Sequence, residues 1–242
     1  MKRIIYDYEK PHIVGRARGS LRGARTIVFI LAISLAVTLI YVLLFKDKSI
    51  KSEAQVFYAV ISGQYDNEIE AASAADQIRQ KGGGGYIESG EVVVAVYPSD
   101  TEAQAVADRY GYKVVSTGEY KPKLRYDDKE VGNKVQRLLL LPEEIFESIY
   151  SATVALDSNQ LSEAAALYVL QGTIKKLNSA VIEIEELKEK YSSDKLLDEL
   201  LVAYSDLASS LSEQSSYSFS SRLKYCGAKV VFTYKKLLIL AT

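Results

Sequence analysis

The residues that could do chemistry are few, and they exclude most catalytic mechanisms. The sequence of 242 residues has one histidine, His12, and one cysteine, Cys226. A Ser-His-Asp or Cys-His nucleophile and a histidine-rich zinc site both need imidazole, so both are excluded beyond the first residues of the chain. Carboxylates alone could support glycoside hydrolysis, but most acidic residues fall on the polar faces of helical patterns. We therefore expect a protein without enzymatic activity, cofactor or metal.

The four consecutive glycines at positions 82–85 are a second candidate for chemistry, as a phosphate-binding loop. Such a loop needs the pattern G-x-x-x-x-G-K-[ST] after a strand and before a helix. Here the glycines follow a predicted helix, precede a predicted strand, and have no Lys-Ser or Lys-Thr behind them. We interpret them as a helix stop followed by a flexible loop.

An uncharged run at residues 26–45 (TIVFILAISLAVTLIYVLLF) predicts one transmembrane helix. Twenty helical residues span about 30 Å, which is roughly the thickness of a bilayer core. The basic residues before the run are Lys2, Arg3, Lys10, Arg16, Arg18, Arg22 and Arg25, and those after it are Lys46, Lys48 and Lys51. This asymmetry predicts a cytoplasmic N-terminus and an extracytoplasmic C-terminal region. We expect the basic arm to lie near lipid and to bind no nucleic acid.

Residues 55–119 predict a ferredoxin-like domain with the element order βαββαβ. The predicted strands are 56–65, 86–89, 91–97 and 112–116, and the predicted helices are 67–81 and 99–110. This order implies an antiparallel sheet with both helices on one face and an open second face. The predicted helix-side residues are Val60, Ser62, Val94 and Val96.

The predicted open face is more apolar than solvent alone would favour. Because alternate residues of a strand share a face, its residues are Ala59, Ile61, Gly63, Tyr65, Val93, Ala95 and Tyr97. Either a ligand or another part of the chain should therefore cover this face. We expect Ile61→Gln on this face to be tolerated, whereas Val60→Asp on the helix side should unfold the domain.

Residues 56–118 resemble the SPOR domain in three short motifs. Tyr58, Val60, Gly63 and Tyr65, followed by Ala71, are similar to the opening Y-x-V-Q-x-G-x-F…A of that family. Lys81-Gly82, running on to Tyr86, is similar to its K-G-[YF] motif. Val94, Val96 and Pro98 are similar to its third strand, R-V-x-[VI]-G-P.

The resemblance implies a βαββαβ fold that binds septal peptidoglycan through glycan strands stripped of their stem peptides. It makes six open-face residues candidates for glycan contact: Ile61, Gly63, Tyr65, Val93, Ala95 and Tyr97. Ile61, Val93 and Tyr97 stand where the family has glutamine, arginine and glycine. These departures imply weaker glycan binding than is typical of the family.

The last third of the chain predicts a small all-α bundle. Pro142 with its acidic neighbours should begin a first helix, followed by a long helix at 161–191 and a third beginning near Asp194. The last segment, 218–240, is expected to be a helix, although a strand stays open for 228–240. The heptad spacing fits either packing within the chain or an intermolecular coiled coil.

The sequence therefore predicts an α+β protein, and its whole architecture resembles that of the stage II sporulation protein B family. The predicted regions are a basic arm (1–25), a membrane span (26–45), a linker (46–54), a SPOR-like domain (55–119), a linker (120–134) and a helical domain (135–242). We expect a membrane-anchored envelope protein that binds the glycan strands of septal peptidoglycan in cell division or sporulation, and whose helical domain binds a protein partner or self-associates. The alternative is an anchored interaction scaffold whose open sheet face packs on its own helical domain or on a partner and binds no glycan.

Overall fold

Local sequence signals place most of the strand and helix ends where the structure has them. A computed structural model describes residues 54–213 and 215–242. The strands are β1 (Tyr58–Gln64), β2 (Tyr86–Glu88), β3 (Glu91–Tyr97) and β4 (Lys113–Ser116). The helices are α1 (Glu68–Gln80), α2 (Asp100–Tyr110), α3 (Lys129–Asp157), α4 (Glu163–Lys190), α5 (Lys195–Ser212) and α6 (Phe219–Leu240). The segment 228–240, open between helix and strand in the sequence, is thus helical.

Polar side chains cap most of these helices. Backbone N–H groups of the first turns donate to the side chains of Asn67, Asp128, Ser162, Asp194 and Ser218, which precede α1, α3, α4, α5 and α6. Each bond satisfies a donor that has no partner inside its own helix. The caps therefore explain why each of these helices begins immediately after a residue with a short polar side chain.

The four strands form one antiparallel sheet in the order β2-β3-β1-β4. Helices α1 and α2 pack on one face, and the order βαββαβ of these elements is the one that the sequence predicts. The contacts on this face are made by small residues. Ala71 and Ala75 of α1 pack near Val92, and Ala103 of α2 packs near Val60.

Two bulges change the pairing of β1 with β3. Val60 is opposite Ala95 but Ile61 is opposite Val93, so Val94 has no residue opposite it. One step further Gly63 is opposite Val92. An extra residue in one strand moves the side chains beyond it relative to a strict alternation. The predicted face is therefore wrong for Val96, which packs among the C-terminal helices rather than with α1 and α2.

Helices α3 and α6 cover the second face of the sheet, and α4 and α5 pack on these two helices; the four helices are termed the helical layer. Residues 55–119, which contain the four strands with α1 and α2, are termed the sheet segment. One hydrophobic cluster contains Phe57, Ile61 and Val93 of the sheet segment together with residues of all four helices. The segment between β4 and α3 is held at two points. Lys123 N–H donates to the Ala241 carbonyl at 2.8 Å, and the Tyr126 hydroxyl donates to Asp194 at 2.6 Å.

Pro142 lies inside α3 and does not begin a helix, contrary to the sequence prediction. A proline in a helix interior removes the hydrogen bond to the carbonyl four residues earlier, here that of Leu138. The buried hydroxyl of Tyr204 in α5 donates to this carbonyl instead. The acceptor that proline leaves free is therefore satisfied from another helix, which allows α3 to continue from Lys129 to Asp157.

The predicted fold class is wrong. The described residues are mostly helical, with six helices and one four-stranded sheet, and they belong to one compact unit. The prediction placed a ferredoxin-like domain beside a separate small bundle because it left one sheet face open, whereas the helical layer shares a core with that face. No helix within the described residues has the length and apolar character needed to cross a membrane. The predicted span at 26–45 lies outside those residues.

Candidate functional site

The sheet face proposed from the sequence for ligand contact is buried under the helical layer. Ile61 and Val93 lie opposite each other on β1 and β3, with exposed fractions of 3% and 0%. Both belong to the cluster that contains Phe146 of α3 and Val230 of α6. The open face inferred from the alternation of residues is therefore an internal packing surface.

Aromatic rings make the contact between the sheet and the helical layer. The ring centres of Phe57, just before β1, and Phe146 are 4.7 Å apart in an edge-to-face arrangement. Tyr86 of β2 stacks on Phe232 of α6, with ring centres 5.7 Å apart. Edge-to-face and offset-stacked rings each add about 0.5–1.5 kcal/mol beyond the burial of their area. This contact is thus an extensive and specific one.

The glycine run forms a second contact with α6. The Ser221 hydroxyl donates to the Gly83 carbonyl at 2.6 Å, and the Lys224 ammonium donates to the Gly82 carbonyl at 3.0 Å. A Cβ atom at Gly84 would lie 2.9 Å from backbone atoms of Lys224 and Tyr225. The glycines end α1, as predicted. The prediction of a flexible loop between α1 and β2 is wrong, because the absence of side chains lets α6 approach and hold the backbone of this segment.

Polar groups fix the outer part of the contact. The carboxylate of Glu143 in α3 accepts hydrogen bonds from the Tyr234 hydroxyl at 2.6 Å and from the Gln55 N–H at 2.7 Å. Burial, together with the nearby Glu143 charge, raises the pKa of Tyr234, so this phenol stays a donor. Lys236 of α6 forms an ion pair with Glu88 of β2 at 3.2 Å. These bonds tie the residues before β1 and the edge strand β2 to the helical layer.

The six candidate glycan-contact residues do not form one surface. Only Ile61 and Val93 lie fully on the covered face. Gly63 pairs with Val92 on the α1 side, and a Cβ there would be 3.0 Å from the Tyr65 hydroxyl. Tyr65 itself packs against the α1 cluster.

The remaining two candidates, Ala95 and Tyr97, lie near the end of β3. Ala95 is buried opposite Val60. Tyr97 is half-buried at the end of β3, with its ring centre 6.1 Å from that of Tyr150 in α3. The two bulges separate residues that strict alternation groups together.

Sequence reasoning misses the residues that cover this face, although they carry a signal. It assigns Phe146, Tyr150, Phe232 and Tyr234 to a separate bundle. Their rings stand at positions of α3 and α6 that turn toward the sheet, in a chain whose predicted sheet face is itself too apolar for solvent. These two unpartnered apolar surfaces are the signal that makes cover by the chain's own helices one of the two alternatives.

Few chemically reactive groups lie near this face. Burial raises the pKa of the Cys226 thiol in α6 to about 11, so the thiol is protonated at neutral pH and a poor nucleophile. Among the described residues no group of three or more His, Cys, Asp and Glu side chains could hold a metal. What the arrangement does is to pack α3 and α6 against the sheet, and α4 and α5 against those two helices.

Comparisons with known proteins add nothing to this description. Neither the models of protein families, nor curated proteins, nor solved structures give a match to this chain.

Proposed function

We propose that this protein is a membrane-anchored interaction scaffold, without enzymatic activity, whose sheet face is occupied by its own helices and binds no glycan. The observation that supports the proposal is the burial of Ile61 and Val93 under α3 and α6. A sheet face that packs on its own chain has no free area for a polymer. The helical layer then offers the surfaces through which a protein partner or a second copy would bind.

Peptidoglycan binding, the function implied by the SPOR resemblance, needs a different arrangement of the same residues. A glycan strand is held by exposed aromatic platforms and hydrogen-bond donors. Of the two tyrosines available for stacking, Tyr65 packs toward α1 and Tyr97 packs against Tyr150. Glycan binding on this face would first require displacement of the helical layer and of its ring contacts.

The anchor in this proposal comes from the sequence. The uncharged run at 26–45 and the basic residues before it favour a single-pass protein of the cell membrane, with the unit that contains the sheet and helices outside the cytoplasm. Protease added to intact protoplasts should then remove epitopes beyond residue 46. Protection of the C-terminal region in intact cells, with cleavage after lysis, would reverse the orientation.

The scaffold and glycan proposals differ in a sedimentation experiment. Residues 50–242 are mixed with peptidoglycan stripped of stem peptides and centrifuged. We expect the protein to stay in the supernatant, and the double change Tyr65→Ala, Tyr97→Ala to make no difference. Tyr110→Ala is the matched control, since Tyr110 is 58% exposed on α2 and is not a candidate contact. Sedimentation of the wild-type and the Tyr110 variant, with loss only in the double variant, would favour glycan recognition instead.

Removal of the helical layer tests whether the sheet face needs it as a cover. A chain of residues 50–119, which also lacks the predicted membrane span, would expose Ile61, Val93 and Phe57, and we expect it to aggregate or to remain unfolded. A soluble, folded and monomeric sheet segment would contradict the proposal, because the face would then be stable without its cover. Size-exclusion chromatography and circular dichroism distinguish the two results.

A further inference from the structure

A cavity of about 300 Å³ opens at the end of α1, beside the ring contact between Tyr86 and Tyr225. It is lined by the end of α1, by residues 213 and 215–217 between α5 and α6, and by the first turns of α6. The side chains that give it its chemistry are Arg79, Arg222, Glu213, Ser216, Tyr217 and Tyr225. Two guanidinium groups from different helices therefore face one small space.

Arg79 is held in place but keeps an unused donor. Its Nη1 donates to the Gly85 carbonyl and its Nη2 to the Asp76 carboxylate, both at 2.9 Å. The guanidinium carbon lies 5.2 Å from the ring centre of Tyr217, whose hydroxyl donates to the same Asp76 carboxylate. Within the described part of the chain the buried Nε atom of Arg79 has no acceptor.

Arg222 also has a buried donor without an acceptor in the part of the chain that the structure describes. Its Nη2 donates to the Leu211 carbonyl at 2.6 Å, and its guanidinium carbon lies 5.6 Å from the ring centre of Phe219. Its Nε atom is also buried, with no acceptor among residues 54–213 and 215–242. Only these two side chains of the described residues carry such an atom. Buried donors without a partner are rare and destabilising, and both of these belong to side chains that line one cavity.

The charge of the lining favours an anion. Asp76 is already engaged by Arg79 and Tyr217, and these hydrogen bonds lower its pKa, the one from Tyr217 most. Glu213 is the carboxylate of the lining and is exposed, so solvent screens it. Arg222 lies in the first turn of α6, where free backbone N–H groups and the helix dipole add to the positive potential.

We propose that this cavity binds the phosphate group of a small phosphomonoester or of a lipid headgroup. A guanidinium fork matches the oxygens of phosphate, and two forks from different directions suit a tetrahedral oxyanion better than a planar carboxylate. The volume exceeds that of phosphate alone and leaves room for a small organic group beside Tyr217 and Tyr225. The site lies outside the sheet face, so it goes beyond the scaffold function and its test is independent of that function.

Thermal unfolding of the full chain in maltoside micelles tests the site. Inorganic phosphate and glycerol 3-phosphate probe free ligands, and micelles doped with phosphatidic acid probe a headgroup, each against chloride at equal ionic strength. We expect one of these probes, at ten times its dissociation constant, to raise Tm by about 3–6 °C. A response to the doped micelles alone would identify the lipid as the source of the phosphate.

Charge-conserving variants identify the residues responsible. Arg79→Lys and Arg222→Lys keep the positive charge but remove Nε and the fork, and each should abolish the shift relative to its own baseline. Arg109→Lys is the control, because Arg109 also lies over a tyrosine ring, that of Tyr110 at 5.6 Å, but outside the cavity. The absence of a shift with every probe, or an equal shift in the Arg79 and Arg222 variants, would overturn the proposal.

Discussion

The two faces of the sheet are buried by side chains of different size. On the face of α1 and α2 the buried helix residues are four alanines, Ala71, Ala75, Ala103 and Ala107, together with Ile78, and they pack near Val92 and Val60 of the strands. On the face of the helical layer, aromatic residues of the sheet segment and of the helices interlock. Alanine lets a helix lie close to a sheet but buries little apolar area, whereas one aromatic side chain buries about 150–250 Å².

This difference reverses the importance that sequence reasoning assigns to the two faces. The face predicted to be the core has two small clusters, and the face predicted to be open shares the largest cluster of the described residues. Since hydrophobic stabilisation grows with buried apolar area, at about 25 cal/mol per Å², we expect the helical layer to contribute more to stability than α1 and α2 do. Substitutions on either side of the sheet, each with a matched control, test that expectation.

The largest effect is expected for Ile61→Gln, which the sequence alone predicts to be tolerated. The change removes a buried apolar side chain and places an amide where no partner is available, at a cost of about 3–5 kcal/mol. Urea denaturation of residues 50–242 measures it. Ile69→Gln is the matched control, because Ile69 is 79% exposed on α1, and its effect should stay within about 0.5 kcal/mol. Equal, small effects of both changes would mean that the helical layer does not cover Ile61 in solution.

Gly84→Ala tests the close approach of α6 to the glycine run. The new methyl group would lie 2.9 Å from the backbone of Lys224 and Tyr225, so α6 must shift, at a cost of about 1–3 kcal/mol. Gly172→Ala makes the same change inside α4, where a Cβ meets nothing within 4 Å. There the better helix propensity of alanine should stabilise the protein by about 0.5–1 kcal/mol. Two variants of opposite sign in thermal melts would confirm that the glycines are packing residues; a neutral Gly84→Ala would contradict it.

Tyr204→Phe tests how the helical layer tolerates Pro142. The substitution keeps the ring and removes the hydroxyl that donates to the Leu138 carbonyl. A buried carbonyl is then left without a partner, and we expect a loss of about 1–2 kcal/mol in the free energy of unfolding. Tyr168→Phe, at a tyrosine that is 77% exposed, should change it by less than about 0.5 kcal/mol. If the loss at Tyr204 is real, Pro142→Ala in the same background should restore stability, because α3 regains its own hydrogen bond.

The elements are easier to predict from the sequence than their assembly, and particular residues explain why. Asn67, Asp194 and Gly111 are local signals whose effect lies within one turn of helix, so the ends of α1, α5 and α2 could be predicted. The length of α3 depends on the hydroxyl of Tyr204, which donates to the Leu138 carbonyl from 66 positions further along the chain. No local pattern around Pro142 contains that information.

The candidate site residues are divided between surfaces for a related reason. Strict alternation placed Gly63 and Tyr65 on the same face as Ile61, and the bulges in β1 and β3 separate them. A bulge is set by the pairing of two strands and not by either strand alone. The apolar character of Ile61 and Val93 is visible in the sequence, but two kinds of cover, a ligand or the chain itself, explain it equally well. Only the positions of Phe146 and Phe232 in space distinguish them.

The smallest predicted effect is an alkaline loss of stability that originates in the helical layer. Burial raises the pKa of Cys226 to about 11 from an ordinary value of 9.0, and it also raises the pKa of Tyr204 in the same layer. A raised pKa means that the folded state holds the proton more tightly than the unfolded chain, so the stability contributed by Cys226 is complete below about pH 9 and is lost as the pH rises toward 11.

For Cys226 alone the loss at pH 10 is about 1 kcal/mol. Urea midpoints of residues 50–242 at pH 8 and pH 10 measure it, and Cys226→Ala should reduce the difference between them. The thiol should also react slowly with a disulfide reagent at pH 8 until the helical layer opens, so Ile61→Gln should accelerate labelling while Ile69→Gln should not. Fast labelling of the unaltered protein would show that α6 leaves the sheet readily, and the larger of the two buried faces would then also be the one more easily opened.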